Sequence, residues 1–204
     1  MFVVTADQRA STSGPDRVPA LLARYRTAGA IRGFERTAGD EVEGVFDDPQ
    51  AVARVAVELA ASGEWTVGIG IDDVEQPLPT QTRAGRGPAF VAARAAIEAA
   101  KGQRVPLRVH GRSSWCRQAQ TAACLLVDLE TGRTKAGREA VALVSAGLTQ
   151  VAAAEKLNIT PQAISLRLRS ARWDLQRDTE ELVVVLLGHS DGDRDHIRAA
   201  EGQR

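Results

Sequence analysis

The 204-residue chain has few cysteines, few aromatics, almost no lysine, no net charge and no long apolar run. Cys116 and Cys124 stand alone with no second pair, which excludes a disulfide scaffold or a zinc ribbon and fits a reducing compartment. The longest apolar stretch, residues 182–187, is far short of the roughly 20 residues a membrane helix needs. The opening residues MFVVTADQ carry neither a basic start nor a signal-type apolar core, so the expected location is the cytoplasm, with no membrane partner. Twenty-six basic residues balance 26 acidic ones, which excludes a uniformly basic nucleic-acid coat protein and an acidic disordered chain. Aromatics make up 4%, and arginine outnumbers lysine 23 to 3 beside 34 alanines. This bias belongs to overall composition and is not read as function. What is present, 44% apolar and 25% charged residues, is ordinary for a chain that buries a core.

The zero balance hides an uneven distribution. Residues 1–110 hold 13 basic and 14 acidic side chains, whereas residues 132–177 hold eight basic against three acidic. Local basicity of that size suits a nucleic-acid-facing module within a neutral protein. The pattern changes as well: short β-type runs alternate with helical stretches before residue 110, and helix dominates after it. Strands are predicted at 2–5, 31–37, 42–46, 65–71 and 105–111, with a tight turn at 38–41 making a hairpin. Helices are predicted at 15–28, at 49–62 behind an Asp48 cap, and at 90–100. Three prolines and two glycines make the segment between 73 and 88 a loop. The order β-α-β-β-α-β, with additions, predicts an α+β fold: a ferredoxin-like antiparallel sheet with helices on one face, followed by an all-α domain.

Asp7 ends the first predicted strand, and Asp40 lies on the hairpin turn beside it. Two such oxygen donors suit Mg²⁺ accompanied by nucleotide phosphates; the plainer reading makes both aspartates turn-formers. The segments TADQRAST, TAGDEVEG, VGIGID and GRGPAFVAAR, in that order, resemble the SatD-like family of nucleotidyl cyclase-fold proteins over residues 2–110. The resemblance implies a metal site at Asp7 and Asp40 and a nucleotide-binding role for Arg36, Glu41 and Arg94. It also implies lost catalysis, because Phe90 stands where cyclases carry an asparagine, and a phenylalanine donates no hydrogen bond. A nucleotide sensor or a ligand-free dimerisation scaffold is the expectation, with a nucleotidyl cyclase as the rival.

Other features carry less. The stretch Arg83-Ala-Gly-Arg-Gly reads either as a phosphate grip or as a solvated loop. Cys116 and Cys124 read as small core residues, and His110 has no nucleophile partner. Asp191, Asp193 and Asp195 lack the twelfth-position glutamate of a calcium loop, so residues 189–204 read as a disordered tail.

The second half is punctuated like a DNA reader. A helix over 136–145 ends at Gly147; Thr149 caps a short one over 151–157; and Thr160 with Pro161 opens a third. LTQVAAAEKLNITPQAISLRLRSAR resembles the helix-turn-helix of bacterial regulators. Ala154 allows a close crossing, and Leu157, Ile159, Ile164 and Leu168 form the corner. Thr160, Gln162, Ser165, Leu166, Arg167, Arg169 and Arg172 are the candidate DNA-contacting residues. Glutamine pairs bidentately with adenine and arginine with guanine, while flanking arginines suit phosphates. A three-helix protein-interaction module would explain the packing but not the basic stripe. Leu175, Leu182, Val183, Leu186 and Leu187 give an apolar helix face for a core or a homodimer seam. The expected domains are 1–110 and 111–188, and the expected function is transcriptional regulation through double-stranded DNA.

Overall fold

A computed structural model describes residues 1–11, 14–26 and 28–201, with side chains to residue 192. It is an α+β protein with one five-stranded sheet and eight α-helices among those residues. The strands are β1 (Phe2–Gln8), β2 (Arg32–Arg36), β3 (Glu41–Phe46), β4 (Trp65–Ile71) and β5 (Leu107–Gly111). The helices are α1 (Val18–Arg24), α2 (Pro49–Ala61), α3 (Pro88–Ala100), α4 (Trp115–Thr131), α5 (Lys135–Ser145), α6 (Gln150–Lys156), α7 (Pro161–Ser170) and α8 (Trp173–Glu201). In the sheet they lie in the order β2-β3-β1-β4-β5.

The sheet is mixed. β1 pairs antiparallel with β3 and β4, β2 antiparallel with β3, but β5 runs parallel to β4. The antiparallel expectation therefore fails at this edge, because α3 carries the chain back along the sheet before β5 begins. The helices also occupy both faces. Phe2, Val4 and Ala6 alternate from β1 into one core, with Val67, Ile69 and Ile71 of β4 and residues of α2, α4 and α8. Val3 and Val45 point the other way, against Ala89 and Ala93 of α3. Burial on both faces explains why β1 and β4 read as near-continuous apolar runs.

α3 sits unusually close to β4. A Cβ added to Gly70 would lie 2.1 Å from the Ala89 carbonyl oxygen and 2.4 Å from the Ala93 nitrogen. One added to Gly68 would lie 2.5 Å from the Ile97 nitrogen. The outer edge of β5 is closed by side chains: the Val109 amide donates to Gln120 Oε1 (3.1 Å), and Arg108 donates to the Leu107 carbonyl (2.6 Å). Such capping discourages pairing with another chain.

The apolar cores divide the chain differently from the expected boundaries. Ala119, Leu126 and Val127 of α4 and Val183 and Leu187 of α8 belong to the sheet core, not to a domain spanning 111–188. The separate helical core consists of Ala140, Val141, Ala153, Ala154, Ile164, Leu168 and Ala171 from α5 to α7 and the residue after it. That three-helix module is inserted between α4 and α8. Its neck is tied where Arg133 Nε donates to the Ala171 carbonyl at 3.0 Å and the Arg133 guanidinium also reaches the buried Gln176. The tail expectation is corrected too. α8 continues through residues 189–201, with His189 stacked on Trp115 and Asp191 paired with the N-terminal ammonium. The side chains of Asp193 and Asp195 lie outside the described residues.

The backbone contacts at Gly70 leave no room for a methyl group. Gly70→Ala should lower the urea-unfolding free energy by more than the ~1–3 kcal/mol of ordinary overpacking. Gly33→Ala, where a Cβ meets nothing within 4 Å, should change it by less than ~1 kcal/mol.

Candidate nucleic-acid interface and the acidic face of the sheet

The geometry of α6 and α7 follows from their ends. Thr134, Thr149 and Thr160 each accept a backbone N–H three residues on, at 3.1, 3.2 and 3.2 Å, and so fix the starts of α5, α6 and α7. α5 ends at Gly147, in the left-handed region at φ 89°, with Leu148 N–H bonded back to the Leu143 carbonyl. α6 ends the same way at Asn158, φ 51°, with Ile159 N–H bonded to the Ala154 carbonyl. Both are Schellman turns, in which the orphan carbonyls of the last turn find donors.

These turns orient α7. Ile164 and Leu168 are buried, whereas Gln162, Leu166 and Arg169 are exposed and Ser165 is half-buried. Pro161, Gln162, Ser165, Leu166 and Arg169 border one shallow concavity along the outer face. Leu166 is 61% exposed, a large apolar side chain with no packing role. Arg172 is exposed directly beyond α7 and adopts φ 53°, which is uncommon for a residue other than glycine. Arg167 lies apart from the outward row, 3.8 Å from Glu139 of α5. Lys135, Arg138 and Lys156 are exposed on the same module.

The residues singled out in the sheet domain come together only in part. Asp7 and Glu41 are opposite partners in the β1–β3 ladder, and the Asp40 carbonyl accepts from the Gln8 amide. The Asp7 carboxylate, however, stands 3.4 Å from the Lys101 ammonium at the end of α3. Burial raises the Asp7 pKa; Lys101 opposes this, and Asp40 and Glu41 add to it. Glu41 accepts from the Thr37 hydroxyl at 2.7 Å and lies 3.8 Å from Arg94. Arg36 is directed elsewhere, donating to the Gly39 carbonyl and to Asp16. Phe90 packs in the apolar cluster of Val3, Val45 and Leu78. Among the described residues no group of three or more His, Cys, Asp or Glu side chains is placed to hold a metal ion. Within the chain, the Asp7 carboxylate is thus engaged by Lys101.

The one signal of Glu43 in the sequence is the alternation of Glu41, Glu43 and Val45, which places all three on one face of β3. Glu43 is 6% exposed and accepts from Thr5 Oγ1 at 3.1 Å. Burial pushes its pKa up to about 7, with Glu41 adding to the rise and Thr5 and Arg94 opposing it. The two cysteines are free; Cys116 is buried and Cys124 half-buried, as expected of small core residues. No helix among the described residues is long and apolar enough to cross a membrane. No protein-family model, curated protein or solved structure matches the chain.

Because the pKa of Glu43 is higher in the folded state than in the unfolded one, folding takes up a proton between pH ~4.5 and ~7. Stability from this group is therefore greatest below that window and is lost as pH rises through it, by on the order of 3 kcal/mol. Glu43→Gln should remove the loss, so the variant should gain on the wild type between pH 5 and pH 8 in urea unfolding. Parallel pH profiles would show that Glu43 is ionised in the native state.

Proposed function

We propose that the protein is a sequence-specific transcriptional regulator whose helix α7 lies in the major groove of double-stranded DNA. The observation that carries this reading is the outward row of Gln162, Ser165, Leu166 and Arg169 on a helix locked from behind by Ile164 and Leu168. Gln162 and Arg169 supply the bidentate groups that distinguish adenine and guanine, and Leu166 and Ser165 supply contact to base edges. Thr160 and Arg172, at the two ends of α7, face the phosphates, with Lys135, Arg138 and Lys156 adding a sequence-independent attraction. Arg167 acts by holding α7 to α5 through Glu139. The module works as a helix-turn-helix, and two copies in a homodimer read two half-sites.

The sheet domain is its platform. The strand order β2-β3-β1-β4, with all three pairings antiparallel, supports a ferredoxin-like, nucleotidyl cyclase-like fold. The packed Phe90, the turned-away Arg36 and the Lys101–Asp7 pair favour a non-catalytic role. The cytoplasm is the compartment this reading implies.

Selection from random duplex DNA should yield a preferred sequence. Against it, Gln162→Ala or Arg169→Ala should cost roughly 1–3 kcal/mol while leaving non-specific binding nearly unchanged. Arg172→Ala should weaken both and lower the salt slope by about one. Replacing residues 134–171 by a short Gly/Ser linker should abolish DNA binding and leave the sheet domain folded by circular dichroism. Absence of salt-sensitive binding by the intact chain, or equal binding by the excised one, would overturn the reading.

A further inference from the structure

A wide cleft lies at the opposite end of the sheet from Asp7 and Asp40. It occupies about 1150 Å³ outside the carboxyl ends of the parallel strands β4 and β5. Crevices at the carboxyl ends of parallel strands are where ligands bind in open α/β sheets, and the volume is ample for a small organic molecule. One wall is the outer side of α3, built from Pro88, Val91, Ala92 and Ala95. Its small side chains leave a flat apolar surface, on which Val91 is 71% exposed. The facing rim, from the end of β5 into α4, carries His110, Arg112 and Arg117. At the base the buried Asp72 carboxylate is held 3.1 Å from Arg112 Nε.

Gly111, in the floor, is a glycine because of its own packing. A Cβ at Gly111 would lie 2.4 Å from the Ile71 carbonyl oxygen and 2.9 Å from Cys116 Sγ. Leading amides of the two flanking helices are already engaged within the chain. Ala89 N–H already bonds the Asp73 carbonyl (2.9 Å), and Trp115 N–H the Ser113 hydroxyl (3.1 Å).

From this division of chemistry we infer that the cleft binds a phosphomonoester with a planar organic body, of the size of a nucleoside monophosphate. The planar group lies against Val91, Ala92 and Ala95. The phosphate meets Arg112 and Arg117, with Arg112 held in place by Asp72, which also accepts the Asp73 amide at 2.8 Å. Arginine suits the phosphate because its fork makes paired, charge-assisted hydrogen bonds.

Calorimetric titration of the full chain with AMP tests this without reference to DNA. Binding is expected, weaker by about tenfold or more in Arg117→Glu and in Val91→Asp. Both positions are exposed, so both variants should keep the wild-type circular dichroism. Arg169→Ala, on α7, should bind AMP as the wild type does. Adenosine or inorganic phosphate alone should bind at least tenfold more weakly than AMP. No heat from AMP at millimolar concentration, or affinity unchanged in both cleft variants, would overturn the site. Equal binding of adenosine or of inorganic phosphate would overturn the two-part ligand.

Discussion

The seat of α3 on β4 is the contact on which the rest of the architecture depends. Two glycines, Gly68 and Gly70, bring a helix backbone against a strand backbone with no side chain between them. That closeness makes α3 the crossover that delivers β5 parallel to β4. It also points the two ends of one helix at two separate places. Arg94 and Lys101 reach the acidic face around Glu41 and Asp7, while Pro88 and Val91 form a wall of the cleft at the other end. Alanine at the contacting positions of α3, including Ala89 and Ala93, serves the same close fit.

The two halves of the protein divide the electrostatic labour. In the sheet domain carboxylates meet cations of the same chain, so its charges are largely spent internally. Glu43 differs in being a buried carboxyl beside a second glutamate, held in place by one hydroxyl and the backbone ladder. In the inserted module the basic residues mostly project outward, although Arg167 turns back onto Glu139 and Arg138 onto the Arg133 carbonyl. A neutral protein thus presents a basic surface because acidic partners are concentrated elsewhere in the chain.

Local chemistry made much of this legible in the sequence. Trp65–Ile71 as a strand, Asp48 and Thr160 as caps, and the turn at Asn158 each follow from a side chain acting within a few residues. The failures all involve long-range packing. An apolar stripe over 182–187 reads the same whether it meets a sheet or a second subunit, and only the fold puts Val183 and Leu187 into the core while Leu182 stays half-exposed. Nothing near Lys101 in the sequence announces Asp7, and nothing near Arg36 announces Asp16. The cleft was hidden for the same reason, since its wall and rim lie in separate segments joined by the parallel strand β5.

The neck at Arg133 and Ala171 makes the sheet domain discontinuous along the chain. Its core is finished by Val183 and Leu187, which follow some forty residues of a module that contributes nothing to it. During synthesis from the N-terminus, the contacts of α5 to α7 are complete before α8 has emerged. The module's contacts are short in sequence and close quickly, whereas the sheet core must wait for a distant helix. The order of assembly is thereby reversed relative to the order of the chain: the segment made later becomes compact first, and the domain begun at Phe2 closes last.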